Sequence, residues 1–167
     1  SPLVEGPELG QAYLGMDGMQ LIYPDEAALA ADVRAVIPES FSVRMGIAEG
    51  KFLAYLAALG SPSGGYQALT GDAGSFLHDL PCDVLPVSRK SKDRLRDFGI
   101  RTLGQLASLP VGPLQSQFGP EGKRMRDLAR GCDETPLYPR FMEENIEESI
   151  VLSQVTVSLD AILLAVE

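Results

Sequence analysis

Residues 85–131 read LPVSRKSKDRLRDFGIRTLGQLASLPVGPLQSQFGPEGKRMRDLARG. This stretch predicts four short helices joined by tight turns. Arg89 to Phe98 forms one, closed by Gly99. Thr102 caps a second that ends before Pro110, Val111 to Phe118 makes a third, and Glu121 to Arg130 a fourth, closed by Gly131. The turns between them are FGI at 98–100, SLP at 108–110 and FGPEG at 118–122. Leu95, Phe98, Ile100, Leu103, Leu106, Leu109, Leu114, Phe118, Met125 and Leu128 recur near helical spacing and would form a small core.

Charge sets this stretch apart. Residues 89–130 hold ten of the chain's 14 Lys/Arg and four of its 23 Asp/Glu, a local balance of +6 inside a chain of net charge −9. A basic segment in an acidic chain is a candidate phosphate-binding face. The helix starts at Arg89 and Glu121 also point backbone N–H groups outward, which favours anions. The plain alternative is a solvated helical unit with ordinary surface charge.

The 167 residues are enough for one ordinary domain or two small ones, and 45% hydrophobic content supports a real core. No apolar run approaches membrane-spanning length and no signal peptide is visible, so the expected setting is soluble and cytoplasmic, with no membrane partner. Cys82 and Cys132 lack metal-binding spacing and read as buried thiols rather than a disulfide. His78 is the only histidine, which gives weak support to a Ser/His/Asp site and excludes a histidine-rich metal site.

Upstream, the Pro/Gly-rich lead is followed by QAYLGMDGMQLIY, read as two strands around a turn at Asp17-Gly18. A helix begins at Pro24-Asp25-Glu26, with Leu29, Val33, Val36 and Ile37 on one face and Pro38 ending it. Phe41 to Ile47 alternates as a strand. Lys51 to about Leu59 is a helix with Phe52, Leu53, Leu56 and Ala57 facing inward. SPSGG at 61–65 is a loop, Tyr66 to Leu69 a short strand, and Asp72 caps a brief helix leading into the basic stretch. Strand–strand–helix–strand–helix–strand is the order of a small α+β layer.

The words DFGIRTLGQLASLP at 97–110, FGPEGKRMRDLARG at 118–131 and DETPL at 133–137 resemble the tandem helix-hairpin-helix thumb of Y-family DNA polymerases. RMGIAEGKFLAYLAAL at 44–59 is similar to the strand-to-helix segment of that family's palm, and ESIVLSQVTVSLDAILLAVE from Glu148 to the opening of its little-finger domain. The resemblance implies an α+β fold: a partial ferredoxin-like palm layer over residues 1–75, an all-helical thumb over 76–137, an acidic linker over 138–147, and the start of a little finger over 148–167. It also implies a middle piece of a longer protein, without the N-terminal palm motif that carries the first metal-binding carboxylate.

The family's second catalytic motif, a serine, an aliphatic residue, an aspartate and a glutamate followed by an apolar frame, aligns with Glu8-Leu9-Gly10-Gln11-Ala12-Tyr13-Leu14-Gly15. Its two carboxylates are replaced by Gly10 and Gln11. Two-metal phosphoryl transfer needs anionic oxygen ligands; glycine offers none and glutamine only a neutral carbonyl. A triphosphate-contacting lysine before a proline is Ser61 before Pro62 here. The first hairpin's glycine-aliphatic-glycine is Pro86-Val87-Ser88, which removes one backbone donor, while the second keeps Gly119 and Gly122.

These departures resemble the ImuB-type branch, catalytically degenerate relatives that act as adaptors in SOS mutagenesis, DNA repair and translesion synthesis. The expectation is a chain with no catalytic residue, no metal site and no cofactor, that binds damaged DNA by its backbone without sequence preference. Gly119, Gly122, Lys123 and Arg124 would make the main contact, and Ser88, Arg89, Lys90 and Lys92 a second, weaker one. A partner polymerase and a sliding clamp are the implied partners. Two alternatives stay open: a divergent but active Y-family polymerase using Mg²⁺, and an unrelated α+β domain whose basic helices serve another interaction.

Overall fold

The computed structural model describes residues 3–139. The chain opens with an antiparallel hairpin, β1 (Val4–Glu8) and β2 (Gln11–Leu14), in the register Val4↔Leu14, Glu5↔Tyr13 and Glu8↔Gln11. The turn between them is Leu9-Gly10, with Gly10 at φ 86°, a left-handed conformation that suits a residue lacking a Cβ. The expected hairpin around Asp17-Gly18 is therefore not the one that forms. Gly18 instead opens a short 3-10 turn, Met19–Leu21, whose Met19 is buried.

Helix α1 (Glu26–Ala35) starts where Asp25 accepts the Ala28 backbone N–H at 2.8 Å, as its sequence signals predict. Its buried side chains are Leu29 and Ala30, whereas Val36, expected on the inner face, lies past the helix end and is exposed. The strand expected from Phe41 is confined to β3 (Met45–Ile47), with Phe41 left exposed. Helix α2 (Lys51–Gly60) crosses over to β4 (Tyr66–Ala68), which pairs in parallel with β3. Among the described residues the strands thus form two separate two-stranded sheets rather than one continuous layer.

After α3 (Ala73–Leu77), capped by Asp72, the chain is helical: α4 (Arg89–Asp97), α5 (Leu103–Ser108), α6 (Val111–Phe118) and α7 (Pro120–Ala129). Each boundary has a local cause. Ser88 caps α4, Thr102 and Gln105 form a reciprocal capping box on α5, Pro110 stands before α6, and Gly99 and Gly131 take positive φ after α4 and α7. The architecture is mixed α/β, with two small sheets and seven α-helices among the described residues.

One hydrophobic core joins both parts. Phe52, Leu53 and Leu56 of α2 pack into the same cluster as Leu77, Leu85, Leu95, Leu103, Leu106, Leu114, Met125 and Leu128. Burying each such side chain contributes about 1.5–3 kcal/mol, so α2, which packs on β3 and β4, anchors that sheet to the helices. Phe98, expected in this core, is exposed and meets Phe118 edge to face, with centroids 6.1 Å apart. The acidic linker expected beyond Pro139 and the little-finger segment expected from 148 lie outside the described residues.

Candidate nucleic-acid interface

The start of α2 anchors the segment that leaves α7. Asp133 accepts the backbone N–H of Phe52 at 2.8 Å and also bonds the amide and hydroxyl of Thr135. Burial pushes the Asp133 carboxyl upward, but the Thr135 and Phe52 hydrogen bonds, with Arg124 nearby, hold it below its ordinary value. One residue before Phe52, Lys51 Nζ pairs with Glu5 at 2.5 Å and lies over the rings of Tyr13 and Tyr138, 5.5 Å from each centroid. Glu5 accepts the Tyr138 backbone N–H at 2.7 Å. The Lys51 and Tyr138 bonds hold the Glu5 carboxyl below its usual range.

These contacts frame a cleft of about 400 Å³ between the first hairpin and the helices, lined by Gln11, Tyr13, Lys51, Tyr55, Lys92 and Arg124 among others. Gln11 Nε2 donates to the Tyr13 hydroxyl at 2.7 Å, and burial raises the Tyr13 phenol, so the ring enters the cleft as a neutral group. Gly10 and Gln11, which the resemblance aligns with two carboxylates, fall at the hairpin tip. Gly10 is in the turn and Gln11 opens β2 with its amide committed to Tyr13. Among the described residues no cluster of three metal-ligating side chains forms, and the tip offers no carboxylate pair for a divalent cation.

The basic residues divide between two helix starts. At α4, Ser88 Oγ accepts the Ser91 N–H at 3.2 Å, Arg89 and Lys90 are exposed, and Lys92 Nζ donates to the Asp83 carbonyl at 2.7 Å. Arg89 and Lys92 line an open groove with Arg96, which itself pairs with Asp83 at 2.5 Å and Asp93 at 2.8 Å. At α7, Gly119 (φ 62°) precedes Pro120, and no side chain caps the helix. Gly122 is buried; a Cβ there would meet the Leu114 carbonyl oxygen at 2.3 Å, so this glycine lets α7 lie against α6. Lys123 and Arg124 are exposed, Lys123 standing 3.9 Å from Asp127.

The two starts meet through Glu121. The Ser88 N–H donates to Glu121 Oε1 at 3.3 Å, and the Ser91 hydroxyl donates to Glu121 Oε2. The fold thus brings Ser88 beside the first turn of α7, and it sets Lys92 and Arg124 on one cleft with Lys51. Two other cations of the stretch serve structure: Arg126 donates to the Leu109 carbonyl at 2.8 Å, and Arg94 bonds Gln117 and lies 5.3 Å from the Phe118 centroid. Sequence reasoning gave Lys51, Tyr13 and Asp133 no part in this site beyond their place in the family-like words, and gave Glu5 none. The only local signals were the lysine after Gly50 and the DETPL word after α7.

No family model matches the sequence. The fold is that of Y-family DNA polymerases. DinB from Sulfolobus solfataricus superposes with a TM-score of 0.66 at 23% identity, over 81% of this chain and 42% of its own. A Y-family Dbh–Dpo4 chimera gives 0.69 at 23%, over 83% and 42%. In sequence, the chain is 32% identical over 141 residues to DNA polymerase IV of Dehalococcoides mccartyi strain CBDB1, covering 82% of this chain and 36% of the relative. It is 31% identical over 156 residues to DNA polymerase IV of Neisseria meningitidis strain FAM18, covering 91% and 44%. The chain therefore spans less than half the length of these relatives. Their identity corrects one expectation. They are DNA polymerases, a class whose phosphoryl transfer runs through divalent cations, so the expectation of no cofactor does not stand. The hairpin tip, with Gly10 and Gln11 and no carboxylate pair, does not fit such a cation. No helix among the described residues is long and apolar enough to cross a membrane.

Proposed function

We propose that this chain is the palm-and-thumb portion of a Y-family polymerase homologue that holds DNA by its backbone without reading sequence. Residues 1–75 are the palm-like part, 76–137 the helix-hairpin-helix thumb, 138–147 the linker, and 148–167 the start of a little finger. The observation that carries the reading is the cleft in which Lys92 and Arg124 from the helices face Lys51 and the first hairpin. Cations from three helices, α2, α4 and α7, line that cleft beside Glu8, Asp83 and Asp133, and neutralising the DNA backbone is the chemistry they would supply. Lys123 and Arg124 make the principal contact, and Arg89, Lys90 and Lys92 a second.

The replacement of the tip carboxylates by Gly10 and Gln11 favours an adaptor of the ImuB type, serving translesion synthesis beside a catalytic polymerase and a sliding clamp. The second reading is a piece of an active translesion polymerase; what favours it is that the sequence relatives are DNA polymerase IV.

Fluorescence anisotropy on a labelled primer–template duplex tests the binding. Affinity should be indifferent to sequence and fall steeply with salt. Lys123→Glu/Arg124→Glu should abolish most of it, and Lys90→Glu/Lys92→Glu should weaken it less. If the first double variant binds as the parent does across the salt range, the basic helices are not the DNA contact.

A further inference from the structure

The DNA-binding reading leaves Glu121 unexplained. It stands in the first turn of α7, two residues before Lys123, and reaches 33 residues back in sequence to the start of α4. Both its carboxylate oxygens are engaged there, one by the Ser88 amide at 3.3 Å and the other by the Ser91 hydroxyl. Ser91 is 7% exposed, so this end of the contact is shielded from water. Ser88 Oγ is itself held by Ser91, accepting its N–H and donating to its hydroxyl. A DNA phosphate approaching Ser88 would thus meet an amide already bonded to an anion of this chain and a hydroxyl already donating to Ser91, and a second anion cannot share the amide without strong repulsion.

Resting on the DNA-binding reading above, we propose that Glu121 is an internal competitor that keeps Ser88 out of DNA contact. As folded, the chain grips the backbone from the Lys123–Arg124 side. A phosphate reaches Ser88 only by displacing Glu121, starting with the longer amide bond. The carboxylate serves as a restraint on affinity, held between the starts of α4 and α7.

The test compares Glu121→Ala and Glu121→Gln with Asp97→Asn, a variant that removes the same charge from the exposed far end of α4. Each is titrated with a primer–template duplex over a salt series, and circular dichroism checks its folding. Glu121→Ala should bind more tightly than Asp97→Asn. It should also gain one phosphate's worth of salt dependence, losing about 3.5-fold more affinity than the control between about 50 and 200 mM salt. Glu121→Gln, which keeps a neutral acceptor on the Ser88 amide, should fall between them; if Glu121→Ala does not fold, tighter binding by Glu121→Gln than by Asp97→Asn is the expected result. Equal affinity and equal salt dependence of the Glu121 variants and Asp97→Asn would overturn the competitor role alone. Absence of binding by the parent and every variant at low salt would overturn the DNA-binding reading beneath it.

Discussion

Asp133 accepts the backbone N–H of Phe52 at 2.8 Å across 81 residues of sequence. A residue beyond α7 thereby caps α2, satisfying a donor that Gly50, with no side chain, cannot. Asp133→Ala should cost about 1 kcal/mol, the usual worth of a helix cap. Asp133→Asn, which keeps the acceptor, should cost less. The carboxyl titrates below its ordinary 3.8 in the folded chain. It therefore binds fewer protons folded than unfolded, and its contribution is complete above the ordinary value and lost as pH falls through the folded one. Urea denaturation at neutral pH and near pH 3 checks both: the gap between parent and Asp133→Asn should narrow in acid.

Gly122 presses against α6. A methyl group placed there meets the Leu114 carbonyl oxygen at 2.3 Å, which forces α6 and α7 apart. Gly122→Ala should destabilise by about 1–3 kcal/mol through overpacking. Gly112→Ala, on the same pair of helices but facing open space, should instead stabilise by up to about 1 kcal/mol. Thermal denaturation of the two variants should move in opposite directions.

The two cysteines should differ sharply in reactivity. Cys82 is buried and its thiol is pushed up to about 11, by burial first and by Asp83 second, while Cys132 is exposed. A thiol reagent at neutral pH should modify Cys132 in the folded chain and Cys82 only on unfolding. Rapid labelling of both in native buffer would show that the helical core opens far more readily than its packing implies.

Catalysis is the fourth expectation. With Mg²⁺ and deoxynucleotides, this chain should not extend a primer, because the hairpin tip presents Gly10 and Gln11 where paired carboxylates are needed. Extension that Glu8→Gln or Asp17→Asn abolishes would show that the carboxylates have moved rather than gone, and would favour the active-polymerase reading.

The helices from Ser88 to Gly131 were legible because their ends are written locally. Thr102 with Gln105, Pro110 and the glycines at 99 and 131 each fix a boundary within a few residues of sequence. The first hairpin was not. The alternating run Gln11–Leu14 can pair with either neighbour, and glycine turns at Gly10 and Gly18 flank it on both sides; the burial of Met19 commits the second to a 3-10 turn. The basic residues were visible as charge, but not the sharing of one cleft by Lys51, Lys92 and Arg124, nor the reach of Glu121. Those depend on contacts between residues 30 to 80 positions apart, for which local pattern carries no signal.

The bond from the Tyr138 amide to Glu5 spans 133 residues and draws the start and finish of the described region together. With Lys51 lodged between Tyr13 and Tyr138, that junction closes the region into a ring of contacts. A break in the exposed Pro62–Gly64 part of the SPSGG loop would then leave both halves tethered. The region has the geometry of a unit that tolerates circular permutation: new ends opened in that loop, with residues 5 and 138 joined through a short connection, should preserve the same core.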